Sequence, residues 1–197
     1  KSLNKGLLHC SNEFVFRMDT DDVCLKNRFK VQLERIVSNE DIAVLGSNVE
    51  LIDDNSVDII KNRNVPISDT DIRKIMPYKN PFNHPSVVFR KSLIQKVGGY
   101  SDLYLYEDWF LWFKLSQLED VKFENMSQKL LKYRIRTFSD RRGIKIMKAE
   151  YSFYLRLMNE NFINRKVFAI NVFMKFVVRL LPSFIYKFFK HKFDELG

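Results

Sequence analysis

Cysteine is scarce in this chain: Cys10 and Cys24 are the only two in 197 residues, and they form neither a C-x-x-C pair nor a multi-bridge framework. That excludes a disulfide-stapled secreted scaffold and a cysteine zinc site, and it points to a reducing cytosol. Long apolar runs are missing too. No stretch reaches the roughly 18 uncharged apolar residues that a transmembrane helix needs. Proline is sparse, with three of the five residues gathered in Pro77–Pro85. There is no internal repeat, no low-complexity tract and no initiator Met. Lys1–Leu8 reads as a helix in progress, with Leu3, Leu7 and Leu8 on one face, so a longer protein cut at its N-terminus is expected. Acids are outnumbered, 24 against 33 Lys and Arg, for a formal charge of +9. A nucleic-acid partner does not follow. Arg165–Gly197 carries seven Lys/Arg against two acids, in a tail rich in Phe, and no zinc-finger or RNP signature is present.

The 46% of hydrophobic residues suffice for one sizeable domain or for a domain with an appendage. Glu13–Met18 reads as a strand, followed by a helix from Lys26 whose apolar positions Phe29, Leu33, Ile36 and Val37 fall at helical spacing. Strands are expected at 42–46, 49–52 and 57–61, the last two as a hairpin around Asp53–Ser56. Ser68-Asp69-Thr70-Asp71 has a capping signature for a short helix. After the proline-rich loop come a strand at 86–89, a helix at 91–97 stopped by Gly98-Gly99, an aromatic helix at 109–117, and strands near 121–123 and 129–134. One helix is expected over 140–160 and two more from Asn164, divided at Pro182.

Arg17-Met18-Asp19-Thr20-Asp21-Asp22 sets three carboxylates within four positions after an apolar run. Like charges this close raise one another's pKa unless a cation or many donors neutralise them. Mg²⁺ suits the task, because it takes one or two carboxylates and completes its shell from phosphate. An acidic strand-to-helix turn capped by Asp22 is the plain alternative. Glu107-Asp108 precedes an aromatic helix and can serve as a cap and dipole partner, or as a general base for an acceptor hydroxyl. His84 is a surface or backbone-bonded histidine, or a site residue. Arg134 and Arg136 solvate a strand end, or clamp a diphosphate by bidentate hydrogen bonds.

Taken in order, Arg-Met-Asp-x-Asp-Asp, Asn80-x-x-x-His84-Pro-Ser-Val-x-Phe-Arg, Gly98-Gly-Tyr-x(7)-Asp108-x-x-Leu-Trp and Tyr133-Arg134 resemble the inverting nucleotide-sugar glycosyltransferases of family 2 type with the GT-A fold. The likeness is to the bacterial members that build capsule, O-antigen or exopolysaccharide. It runs from Lys1 to about Ser139.

The resemblance implies an α/β GT-A fold, a mixed sheet with flanking helices, entered part-way, so that an N-terminal nucleotide-binding portion precedes Lys1. On this reading residues 1–139 are the metal and acceptor side of the catalytic domain, and 140–197 form a helical, basic and aromatic extension. Asp19 and Asp21, with Asp22 adjacent, are implied to hold Mg²⁺ or Mn²⁺ on the donor diphosphate, which His84, Arg134 and Arg136 also face. Asp108 is implied as the catalytic base, oriented by Glu107. Arg136 stands where many members carry a His. The implied partners are a nucleotide-sugar donor, a glycan or lipid-linked acceptor and an anionic membrane surface, with the enzyme peripheral on the inner face of the plasma membrane. Two other readings compete. Asp19-Thr20-Asp21-Asp22-Val23 also fits the nucleophile motif of haloacid dehalogenase-type phosphatases, and an inactive transferase-like scaffold at a membrane surface accounts for the tail.

Overall fold

A computed structural model of the chain describes residues 2–135 and 144–180. The chain divides into two compact units, the first made of residues 2–102 and 106–135, the second of Leu103–Leu105 and residues 144–180. In the first unit the elements run α1 (Ser2–His9), β1 (Phe14–Phe16), β2 (Val23–Cys24), α2 (Arg28–Val37), β3 (Ile42–Ile52), β4 (Ile59–Arg63), α3 (Asp69–Ile75), a one-turn 3₁₀ helix (His84–Ser86), β5 (Val88–Arg90), α4 (Lys91–Lys96), α5 (Glu107–Leu115) and β6 (Lys122–Arg134). The second unit carries α6 (Ile144–Asn159) and α7 (Arg165–Leu180). The expected helix beyond Pro182 lies outside the described residues.

The strands form one mixed sheet in the order β1-β5-β3-β6-β2, with β4 on the far part of β3. The β3–β6 pair is parallel and the others are antiparallel. Two strands are longer than the sequence pattern suggests. Residues 42–52 are continuous, and 122–134 make one strand whose register against β3 shifts between Ser47 and Asn48. The side chain of Asn48 spans that irregularity, donating to Ser127 O at 2.9 Å and accepting from Val65 N–H at 2.9 Å. A bulge therefore replaces the loop that the sequence suggests.

Alternation along the strands sorts the core into two faces. Leu45 and Val88 meet Ile36 of α2 on one side, with Phe14, Phe16 and Met126 around them. Val44, Phe89 and Phe123 are register partners pointing the other way. There Phe123 meets Phe82, which packs on Trp112 of α5 at 5.1 Å. Nearly all of α5 is buried, from Asp108 through Leu115.

The sequence misjudges α2. Phe29, Leu33 and Val37 are exposed, and the buried side presents Arg28, Gln32 and Ile36. The reason is polar. Arg28 Nη2 donates to Arg17 O at 2.7 Å and Val87 O at 3.4 Å, and its Nε donates to Gln32 Oε1 at 3.0 Å. Gln32 Nε2 then donates to Leu45 O at 3.1 Å and Ser86 O at 2.9 Å. Carbonyls turned inward need donors that leucine cannot supply. Gln32→Leu is therefore expected to lower stability by about 2–4 kcal/mol in chemical denaturation, because buried acceptors lose their donor. Leu33→Gln, one residue along on the exposed stripe, is expected to change it by about 0.5 kcal/mol or less. The reverse ranking would overturn this assignment of the buried face.

Candidate active site

At the end of β1 the chain turns through Arg17–Asp22. Antiparallel pairing with β5 puts residues 84–87 beside that turn, and Arg17 N–H donates to Val87 O at 3.0 Å. The loop leading into β5 has few ladder bonds, so buried side chains hold it. Asn125 Nδ2 donates to Pro66 O at 2.6 Å and Pro81 O at 3.1 Å, Asn83 Nδ2 donates to Ser47 O at 2.9 Å, and Ser86 Oγ accepts from Ser47 N–H at 3.1 Å. These anchors set the positions of Asn80 and His84.

α5 begins two residues earlier than the sequence pattern suggests. Glu107 and Asp108 both lie in its first turn, where backbone N–H groups are unpaired and the helix dipole favours negative charge. The cap position is Tyr106, which makes no side-chain cap bond. Asp108 is buried, and its Oδ2 accepts from Asn80 Nδ2 at 2.7 Å and lies 3.7 Å from His84 Nδ1. Burial pushes the Asp108 carboxyl upward in pKa, while the Asn80 hydrogen bond, the Trp109 backbone N–H and the charge of Arg17 pull it back. Burial raises Glu107 as well, and the negative charge of Asp108 adds to this. A carboxylate whose burial and partners oppose one another in this way has the make-up of a general base.

Across the site, Arg17 Nη2 pairs with Asp19 Oδ1 at 2.7 Å. Its Nη1 is buried without a hydrogen-bond partner among the described residues. The same guanidinium acts electrostatically on Asp22, His84, Tyr100, Glu107 and Asp108. Arg17 is thus paired with the acidic turn and also lowers the pKa of the acids of α5 through its charge. As a lone cation ahead of three acids it was visible in the sequence, yet nothing there showed that a residue some ninety positions away shared it.

Asp22 is turned into the fold. Its Oδ1 accepts the Arg134 N–H at 2.8 Å, and its Oδ2 is closed from solvent. Burial, with Asp19 and Asp21 nearby, raises its pKa to about 6 against the pull of the Arg134 N–H. It is also a countercharge to buried Arg28. One oxygen of Asp22 is thus engaged by the backbone of β6, and the other is buried without a hydrogen-bond partner among the described residues. Among the described residues no three His, Cys, Asp or Glu side chains form a ready-made metal cage. Asp19 keeps part of its carboxylate exposed, and Asp21 is its neighbour at the mouth of the turn. Two hard oxygen donors of this kind fit a cation that draws its other ligands from phosphate and water.

The residues expected at the diphosphate make other contacts in this structure. Arg134 donates from Nε to Asp21 O at 2.9 Å and from Nη1 to the carbonyls of Asp53, Asp54 and Ser56 at 2.5, 3.0 and 2.7 Å. It fastens the acidic turn to the β3–β4 turn. Arg136 lies outside the described residues. His84 sits beside Asp108 and Tyr100, with Nε2 3.3 Å from the Tyr100 hydroxyl. Burial, reinforced by Arg17, lowers its pKa to about 3, so at neutral pH it brings no positive charge to a phosphate.

Residues 1–175 match the family model described as glycosyltransferase like family 2. A UDP-Gal:alpha-D-GlcNAc-diphosphoundecaprenol beta-1,3-galactosyltransferase of Escherichia coli is 39% identical over 196 residues, covering 94% of this chain and 69% of that protein. The amylovoran biosynthesis glycosyltransferase AmsE of Erwinia amylovora is 33% identical, covering 100% of this chain and 73% of the relative. Among solved structures, S. aureus TarS (residues 1–349) superposes with a TM-score of 0.52 at 17% identity, over 79% of this chain and 44% of that one, a likeness of fold. The matches set aside the phosphatase reading of the Asp-x-Asp motif. With its mixed sheet of GT-A type and its two separated acidic sites, the chain belongs to the glycosyltransferase like family 2.

Proposed function

We propose that this chain carries the catalytic acids of an inverting transferase that moves a sugar from a nucleoside-diphosphate donor to a hydroxyl of a lipid-linked glycan in bacterial surface-polysaccharide synthesis. The observation that carries the reading is the buried Asp108 carboxylate, whose Oδ2 accepts from Asn80 Nδ2 at 2.7 Å and lies 3.7 Å from His84, in the segment that the pairing of β1 with β5 sets beside the Asp19–Asp21 turn. Residues 1–139 supply the catalytic portion, and the chain after it is an extension that includes α6 and α7. The relatives named above, one acting on an undecaprenol-linked sugar, support the acceptor class.

Asp108 takes the proton from the acceptor hydroxyl as that oxygen bonds to the anomeric carbon. The bond from this carbon to the diphosphate oxygen breaks on the opposite side, the electron pair leaves with the nucleoside diphosphate, and the configuration inverts. Glu107 keeps the surroundings of Asp108 electronegative. Arg17 steadies both carboxylates as ions. Asp19 and Asp21 would hold Mg²⁺ or Mn²⁺, which when bound neutralises charge on the departing diphosphate.

α7 supplies a membrane-facing surface. Ile170, Phe173, Met174, Phe176 and Val177 are exposed on it, next to Arg165, Lys166 and Lys175. Rings and cations in one helix suit the boundary between headgroups and acyl chains, where each basic residue contributes about 1 kcal/mol on an anionic surface. Among the described residues no helix is long and apolar enough to cross a membrane.

Three outcomes test these assignments. In the full-length protein Asp108→Asn should reduce kcat by about 10²–10⁴ with donor affinity retained, whereas early melting with unchanged specific activity would make Asp108 a structural residue. Asp21→Asn should abolish transfer together with the divalent-ion dependence of donor binding by calorimetry; full activity in excess chelator would overturn the metal role. Truncation after Asn164 should release the protein from anionic liposomes at low salt, and equal sedimentation with neutral vesicles would remove the electrostatic part of the attachment.

A further inference from the structure

Asn80 belongs to a motif singled out in the sequence, yet the reaction scheme above assigns it nothing. We propose that Asn80 is a positioning residue that holds the Asp108 carboxylate ionised and in one orientation for the acceptor hydroxyl. The inference rests on the reading of Asp108 as the base.

The geometry is directional. Asn80 Oδ1 accepts the backbone N–H of Phe82 at 3.2 Å, which identifies the oxygen and leaves Nδ2 aimed at Asp108 Oδ2, 2.7 Å away. Phe82 is itself immobilised, buried between Trp112 and Phe123. The donor is therefore fixed from the opposite face of the site to the helix that carries the base. On its own helix Asp108 is held by backbone N–H groups of the first turn. Clamped from both sides, the carboxylate cannot rotate freely, and one oxygen already has a strong partner.

The other groups facing Asp108 cannot replace this donor. His84 is 3.7 Å away, beyond a hydrogen bond, and neutral. Burial raises the pKa of Tyr100, so the phenol stays protonated, and its hydroxyl lies against His84 Nε2. Glu107 adds like charge, and Arg17, paired through Nη2 with Asp19, acts on Asp108 through its charge and makes no hydrogen bond to it. Burial by itself favours the protonated acid, which cannot act as a base. Asn80 opposes that tendency, because a hydrogen bond donated to the ionised form stabilises it selectively.

The sign of the effect follows. Without Asn80 the ionised form loses a donor, the folded-state pKa of Asp108 rises, and the acidic limb of kcat/KM moves to higher pH. Asn80→Ala in the full-length protein is expected to move that limb up by about one pH unit, as the loss of one charge-assisted hydrogen bond implies. Activity should recover toward the wild-type plateau at high pH, with donor KM unchanged. The ¹³Cγ titration of Asp108 should move in parallel. A pH-independent loss, or a profile that does not move, would overturn the inference. If Asn80→Ala does not fold, Asn80→Ser carries the same test, since the shorter side chain withdraws the donor from Asp108 while staying polar, and an unmoved limb refutes the role. Asp108→Asn separates the two claims. Retained activity in that variant defeats the base itself, whereas its loss beside unshifted Asn80 variants defeats only the positioning role.

Discussion

The buried pair of Arg28 and Gln32 holds this site together. Both are fully buried on the inner side of α2 and donate to the carbonyls of Arg17, Val87, Leu45 and Ser86. Those four carbonyls belong to the start of the acidic turn, the central strand and the segment leading into β5. Without the pair, three pieces of chain that must meet at one end of the sheet would each carry a buried polar group with nothing to satisfy it. Such groups are expensive to leave unmade, so the strap both stabilises the unit and sets the relative placement of Asp19 and His84. The positive charge of Arg28 is buried at a cost of its own, which Cys24 and, less strongly, Asp22 oppose.

A second constraint is the sharing of one cation. Arg17 pairs directly with Asp19 and acts at longer range on Glu107 and Asp108. Around this centre the roles divide by exposure. Asp19 faces outward and remains available to a ligand. Asp22 faces inward and is part of the framework, and Arg134 closes the turn from behind through backbone carbonyls. Asp108 is buried but supplied with donors, the condition in which a carboxylate can be both ionised and basic.

Much of this was legible in the residues. The order of the motifs identified the family, and the short helix after Ser68 has the cap that its sequence signature suggests, with Ser68 Oγ accepting from Asp71 N–H at 3.2 Å. Gly98 and Gly99 take the left-handed conformation expected of a helix stop, at φ values of 76° and 66°. In Gly99 a further reason appears that no pattern shows, because a Cβ there would meet Asn4 Oδ1 at 2.7 Å. Local rules succeeded where the cause is local.

By itself the sequence determined the family, the elements whose signals are confined to a few neighbouring residues, and the residue types that could do the chemistry. Tertiary structure alone decided how those residues are placed and what each one touches. The exposed stripe of Phe29, Leu33 and Val37 and the buried Arg28 and Gln32 invert the hydrophobic reading of α2, because inward carbonyls from distant segments demanded donors. Asp22 and Asp19 look alike in the sequence and differ in the fold, because one lies against Arg134 N–H and the other opens outward. His84 became a buried neighbour of Asp108, and Asn80 became its hydrogen-bond partner through a loop anchored by Asn83, Ser86 and Asn125. Each of these outcomes depends on contacts between residues far apart in the chain, and hydrophobic periodicity and motif spacing carry no information about them.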